Sequence, residues 1–348
     1  MVGRGTGDVA ERRSDQHIDI LDGWRALSIL CVLAGHLLPL GPGAWGLNGA
    51  VAATGMVIFF NLSGFLIARM LLRDPHVPSF VVRRLFRIVP LAWAAMAVLA
   101  VVSTGAGAIA VLANFGFVAN LPPTQLMRGG EHLWSLCIEV QFYAGVALLV
   151  LLAGRRGLYL LPFAGLAITA LRVMQDAPIS IFTWQRLDEI LAGSTVAILH
   201  HRGLLQRWIP RPFALWAVAL VPLIVASGHP AGGLLNFARP WISACVIAMS
   251  LVAVPVLVDR IFRSRAAVYI ATVSYALYVV HGMLMATWLY TGETVVKYLK
   301  RPVLIAMTFG IAHLSTFVFE ARMIAVGRRF AGWTRRGRTA SVVGSVAP

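Results

Sequence analysis

Apolar runs separated by short polar stretches set the pattern of the chain, at about 21–40, 48–71, 88–104, 133–153, 158–173, 186–200, 213–228, 240–258, 267–290 and 302–320. A hydrocarbon core about 30 Å thick is crossed by a helix of about 20 mainly apolar residues, so each run predicts a membrane-crossing helix. The expected fold class is all-α, a polytopic transmembrane helix bundle of about ten spans. A further apolar stretch, Ala106 to Leu121, is interrupted by Asn114 and Asn120 and followed by Pro122 and Pro123. It is expected to be re-entrant or interfacial on the outer side, since a crossing there would reverse every later loop.

Composition agrees with a membrane protein. Of 348 residues 59% are hydrophobic and 13% charged, with a mean hydropathy of +0.78, whereas soluble domains carry about 25% charged residues. The formal net charge of +16 does not point to nucleic acid, because the basic residues sit in short clusters between apolar runs rather than on one domain with stacking aromatics. Those clusters do predict an orientation. With the N-terminus inside, 23 of the 30 Lys and Arg fall in cytoplasmic segments, as the enrichment of basic residues in inner loops requires. Both termini are therefore expected in the cytoplasm. Residues 1–17 read as a polar tail without a removable signal peptide, 18–323 as the membrane domain, and 324–348 as a basic cytoplasmic tail expected to be disordered. Cys31, Cys137 and Cys245 lie within apolar runs and lack the spacing of a zinc site or disulfide framework, so no metal is expected.

Ionisable groups inside such runs cost about 2.5 to 3.5 kcal/mol each at the helix centre and mark functional sites. The first run, LDGWRALSILCVLAGHLLP, carries Asp22 and Arg25 at its start and His36 far inside. Arg25 and His36 are eleven positions apart, about 16 Å and nearly three turns of helix, so they share a face. The plainer alternative is an Arg that snorkels to the interface and a His bonded to a neighbouring carbonyl. In GMVIFFNLSGFLIARML, Asn61, Ser63 and Gly64 read as a packing seam that brings the Ser63 hydroxyl near whatever His36 faces. In FVVRRLFRIVPLAW, Arg83, Arg84 and Arg87 form one positive helix face at the cytoplasmic entrance, suited to phosphate or simply part of the inner-loop bias. In EHLWSLCIEVQFYAG, Glu139 lies about one turn after Trp134 and Ser135. Its expected partner is His36, either as structural glue or as a carboxylate orienting a general base.

These segments together carry a family resemblance. LDGWRAL with its Arg25-to-His36 spacing, FFNLSGFLI, RRLFRIVPLAW and HLWSLCIEVQFY resemble the membrane-bound acyltransferase-3 family, O-acetyltransferases that modify bacterial polysaccharides, lipopolysaccharide, root-nodulation factors and macrolides. RLDEILAGSTVA, with Arg186, Asp188 and Gly193, is similar to the family's Arg-x-Asp…Gly pattern, and SYALYVVHG to its Ser-Tyr-x-x-Tyr-x-x-His segment. The resemblance runs over about residues 18–323. It departs from the pattern after Glu320, where Arg322 occupies the place of the family's proline. The SGNH-type hydrolase domain that some relatives append has no counterpart after it, so transfer is expected to be completed by the membrane domain.

The resemblance implies movement of an acyl group, usually acetyl, from cytoplasmic acyl-CoA to a hydroxyl of a carbohydrate, glycolipid or macrolide-like acceptor at the bacterial inner membrane. Acyl-CoA is then a co-substrate, and no tightly bound cofactor is expected; the partners are the lipid bilayer, the donor and the acceptor. A sugar hydroxyl is a weak nucleophile, and a positioned base contributes about 10² to 10⁴ in rate. His36 is the expected base and Glu139 its partner. Arg25, Arg84 and Arg87 are the expected donor-binding groups, with Asp22, Ser63, Trp134, Ser135, Arg186 and Asp188 binding or supporting the acceptor. Trp134 is either a sugar-stacking surface or an interfacial belt residue. A transporter or flippase with a proton relay through His36, Asp188 and Glu189 is the alternative, although no internal repeat marks two halves.

Overall fold

The structure is a computed structural model and describes residues 18–102 and 107–344; the expected N-terminal tail, 1–17, lies outside the described residues. It is an all-α membrane bundle, with no strand among the described residues. The helices that position the site are α1 (Ile20–Leu37), α2 (Leu47–Arg73), α3 (Val77–Val102), α4 (Ala108–Phe115), α5 (Trp134–Ala153), α6 (Leu161–Met174), α7 (Asp188–His201), α8 (Leu235–Ser250), α9 (Arg265–Met285), α10 (Arg301–Leu314) and α11 (Ala321–Gly344).

Helix α2 is the hub, with α1 along one side and α7 along another. Phe60, Ile67 and Leu71 enter one apolar core with α3, α5 and α9. Val57, Ile58 and Phe65 enter a second with α7 and α8. Small residues let the backbones close. A Cβ on Gly55 would stand 2.5 Å from the Ser28 carbonyl oxygen, and Ser28 Oγ donates to the Gly55 carbonyl at 2.8 Å. Against α7, Gly64 lies on the carbonyl of Ile190 and Gly193 on that of Asn61, an approach that only small residues permit. The seam at Asn61 and Gly64 therefore packs on α7.

Six helical runs among the described residues are long and apolar enough to cross a membrane, or seven if the bent pair Arg211–Ala217 and Val221–Gly228 forms one span. Ten were expected. Part of the difference is that some apolar runs fold as helices shorter than a crossing needs. Helices α7 and α8 have only 14 and 16 residues, short of the length that a bilayer core demands. The expected spans 133–153 and 158–173 lie in one helical stretch, Glu131–Met174, that reverses at Gly154, where φ is +60°: Thr183 Oγ1, beyond the second half, donates to Gln141 Oε1 in the first at 2.5 Å. In the stretch Ala106 to Leu121, α4 has eight residues, about 12 Å of rise, too short to cross. Its polar interruptions tie it down: Asn114 Nδ2 donates to the carbonyls of Ala110 and Gln125 at 2.8 and 2.6 Å, and Asn120 Nδ2 to that of Ile181 at 3.0 Å.

Residues 324–344 are helical, not disordered as expected. Helix α10 runs through a π-helical segment, Ser315–Glu320, into α11, which packs on α3. Gly327 lies against the Phe86 ring, Phe86 stacks on Phe330 at 5.8 Å, and Ser79 Oγ donates to the Ala331 carbonyl at 3.0 Å. Small and apolar residues recurring at helical spacing between the arginines give the segment a packing face that its average composition conceals.

Candidate active site

Two large cavities lie at opposite ends of α1. His36 falls in the last turn of α1 and lines a cavity of about 690 Å³ with His132, Trp134, Arg186, Tyr278 and His281. Nδ1 of His36 is 3.1 Å from Nε2 of His281, the two rings stacked 5.2 Å apart. The other nitrogen of His281, Nδ1, lies 2.6 Å from the Tyr278 carbonyl oxygen and 3.2 Å from that of Leu277. Two acceptors at that nitrogen require it to carry the proton, so Nε2 of a neutral His281 is an acceptor and Nδ1 of His36 donates to it. The lone pair of neutral His36 is thereby left on Nε2. The Tyr290 hydroxyl donates to the His36 carbonyl at 3.2 Å, and His132 Nε2 reaches the Val279 carbonyl at 3.1 Å.

At the start of α1 a second cavity of about 580 Å³ is walled by seven arginines, among them Arg25, Arg84, Arg87 and, from α11, Arg328. Its one acidic residue, Asp74, is engaged by Arg83 at 3.6 Å and by Arg335. Like charges gathered in one hollow raise its affinity for a multiply charged anion. Between the two cavities, smaller hollows follow α1. One of about 60 Å³ is lined by Arg25, Ser63, Arg84, Glu139 and Tyr275, and one of about 20 Å³ by Arg25, Ser28, Met56, Phe59 and Tyr278. Neighbouring hollows share walls: Arg84 and Arg87, then Phe59 and Ser274, then Met56 and Tyr278.

The structure separates residues that the sequence reading had joined. Glu139 is not the partner of His36; it accepts from Ser63 Oγ at 2.5 Å and from the Tyr143 hydroxyl, in the hollow next to Arg25 and Arg84. The helix of α5 begins at Trp134, so Glu139 stands about 7.5 Å further along the axis, below the large cavity. Ser63 goes with it. Ser135 Oγ bonds the Tyr278 hydroxyl at 2.6 Å. Asp22 lies one turn before Arg25 and lines none of these four hollows. Asp188 is fully buried behind the large cavity and pairs with Arg172 at 2.7 Å, so it forms no relay with His36. Trp134 and Arg186 do line the cavity of His36.

His281 and Tyr278, within SYALYVVHG, and His132, within HLWSLCIEVQFY, are the cavity residues to which the sequence reading gives no role. His281 was detectable, since it is an ionisable group inside an apolar run, as His36 is, and shares a helix face with Tyr278. His132, at the polar edge of its run, gave no such signal. Among the described residues no group of three or more His, Cys, Asp or Glu is arranged to hold a metal.

Residues 18–319 match the family model of the acyltransferase domain, acyltransferase-3. The chain belongs to the acyltransferase-3 family. Peptidoglycan O-acetyltransferase OatA of Listeria monocytogenes is 27% identical over 87% of this chain and 55% of its own length. A putative O-acetyltransferase of Staphylococcus aureus is 29% identical over 53% of this chain and 35% of its own length. The putative membrane-bound transacylase BcsY of Komagataeibacter xylinus is 30% identical over 38% of this chain and 37% of its own length. The acyltransferase-3 chain described here thus spans about half of the first relative and about a third of the other two. No solved structure matches it.

Proposed function

We propose that the protein is a membrane O-acyltransferase that moves an acyl group, acetyl by its likeness to O-acetyltransferases, from acyl-CoA to a hydroxyl of a carbohydrate-like acceptor. The observation that carries this reading is the row of hollows along α1 between an arginine-walled cavity and an imidazole with a free nitrogen. Coenzyme A carries several phosphate charges, and arginine forks bind phosphate in two-point fashion. Arg84, Arg87 and Arg25 would hold the donor at the cytoplasmic face of the bacterial inner membrane, with its thioester arm directed along α1.

At the other end the acceptor hydroxyl would donate to His36 Nε2. As its oxygen attacks the thioester carbonyl, the proton passes to Nε2. The imidazolium keeps its Nδ1–H on His281 Nε2, so no uncompensated donor forms in the low-dielectric interior. Collapse of the tetrahedral intermediate breaks the C–S bond, and the coenzyme A sulfur leaves with the proton from His36. The test is release of coenzyme A by purified protein coupled to acylation of a sugar acceptor. Transfer that is present in the wild type and absent from His36→Gln supports the reading; no consumption of any acyl-CoA overturns it.

A further inference from the structure

We propose that the cavity of His36 takes an acceptor bearing an anionic group, a sugar acid or sugar phosphate, with the anion on Arg186 and the sugar face on Trp134. The proposal rests on the acyltransferase reading for the word acceptor, while the binding site itself stands on the charges around it.

Five charged side chains are buried together behind the cavity wall: Arg172, Arg186, Asp188, Glu189 and Arg239. Asp188 pairs with Arg172, whose remaining donors meet the carbonyls of Ala177, Pro178 and Asn236. Glu189 is shared, with Arg239 Nε at 3.0 Å on one oxygen and Arg186 Nε at 3.2 Å on the other. Three guanidinium groups therefore face two carboxylates. One positive charge is left over in a region where an uncompensated ion is strongly unfavourable.

The surplus is carried to the cavity by one residue. Of the three arginines only Arg186 lines it. Its Nη groups make none of the hydrogen bonds that occupy Arg172, and its guanidinium stands 5.3 Å over the Trp134 ring. The other charged residues of this cavity, Arg128 and Glu131, are of opposite sign and leave its balance unchanged. A carboxylate or phosphate on the open side of the Arg186 fork would bring the cluster to charge neutrality with the planar two-point geometry that arginine favours. Trp134 on the same wall offers an apolar face to the sugar, and about 690 Å³ falls within the range of small-ligand sites.

Calorimetric titration of the purified protein with methyl glucuronide, glucose 6-phosphate and methyl glucoside tests this. At least one anionic sugar is expected to bind about 10-fold or more tightly than the glucoside, and which one does so distinguishes carboxylate from phosphate. Arg186→Gln leaves the Arg172–Asp188 and Arg239–Glu189 pairs intact and neutral. It is therefore expected to melt within about 2 °C of the wild type while binding all three sugars equally, with Arg186→Lys intermediate. Equal binding of the three by the wild type, including no binding of any, overturns the proposal. So does a persisting preference in Arg186→Gln, or a variant that loses its fold, which would make Arg186 a structural ion pair. Loss of the acyltransferase reading is a separate outcome: anionic sugar bound through Arg186, but no acyl-CoA consumed.

Discussion

His36 and Glu139 carry opposite lessons at the scale of single residues. His36 is legible because an imidazole inside an apolar run has few uses other than chemistry or a buried hydrogen bond, and its contact with His281 serves both. His36→Gln is expected to lower acyl transfer by at least about 100-fold, the lower end of what a general base contributes; a variant retaining a tenth of wild-type turnover would reduce the residue to packing. Glu139 is misplaced by the sequence because equal depth with His36 is assumed, whereas His36 lies in the last turn of α1 and Glu139 about 7.5 Å inside α5, beside Arg25 and Arg84. Its effect should follow its neighbours. Glu139→Gln is expected to raise the Michaelis constant for acyl-CoA several-fold and leave that for the acceptor unchanged, and the opposite split in steady-state kinetics would return Glu139 to the acceptor side.

Among the helices, the tightest constraint is the approach of α2 to α7, where Gly64 and Gly193 each lie on a backbone carbonyl of the other helix. Backbone cannot swing aside as a side chain does, so Gly64→Ala is expected to cost at least the 1 to 3 kcal/mol or so typical of overpacking. Gly145 in α5 has open space where a Cβ would go. Gly145→Ala is expected to be neutral or to stabilise by up to about 1 kcal/mol through the smaller loss of backbone entropy. Thermal melting of the two variants in detergent should separate by several degrees, and equal melting points would mean that the helices part freely at Gly64. The interruption at Asn61, Ser63 and Gly64 was readable as a seam, but its partner was not, because helical spacing says which residues share a face and nothing about what lies opposite. The helix of α11 was hidden for a related reason: its arginines dominate the composition, while Phe330, Ala331 and Gly327 do the packing.

For the molecule as a whole, the row of hollows has a direction, and the donor must enter where acyl-CoA is found. No periodicity reports such a row, which exists only once α1, α2, α3, α5 and α9 are assembled; what the sequence does report is the bias of its basic residues. Two contacts connect that bias to the cavities. Arg155 Nη1 donates to the Leu72 carbonyl at 3.1 Å, which ties the 154–157 turn to the end of α2 that carries Arg73 of the arginine-walled cavity. At the far end of α1, His229 Nε2 meets the Trp45 carbonyl at 2.6 Å, in the loop that follows His36. If the arginine-walled cavity opens to the cytoplasm, a cysteine at exposed Arg156 should be shielded from a membrane-impermeant maleimide in intact cells, and one at exposed Ala44 should react, in a background without Cys31, Cys137 and Cys245. The donor double variant Arg84→Ala with Arg87→Ala should then weaken acyl-CoA binding by more than about 10-fold, since each charge-assisted hydrogen bond contributes about 1.5 to 3 kcal/mol, without altering either labelling pattern. Labelling of Arg156→Cys from outside would turn the arginines away from acyl-CoA, and the transfer direction proposed along α1 would fall with it.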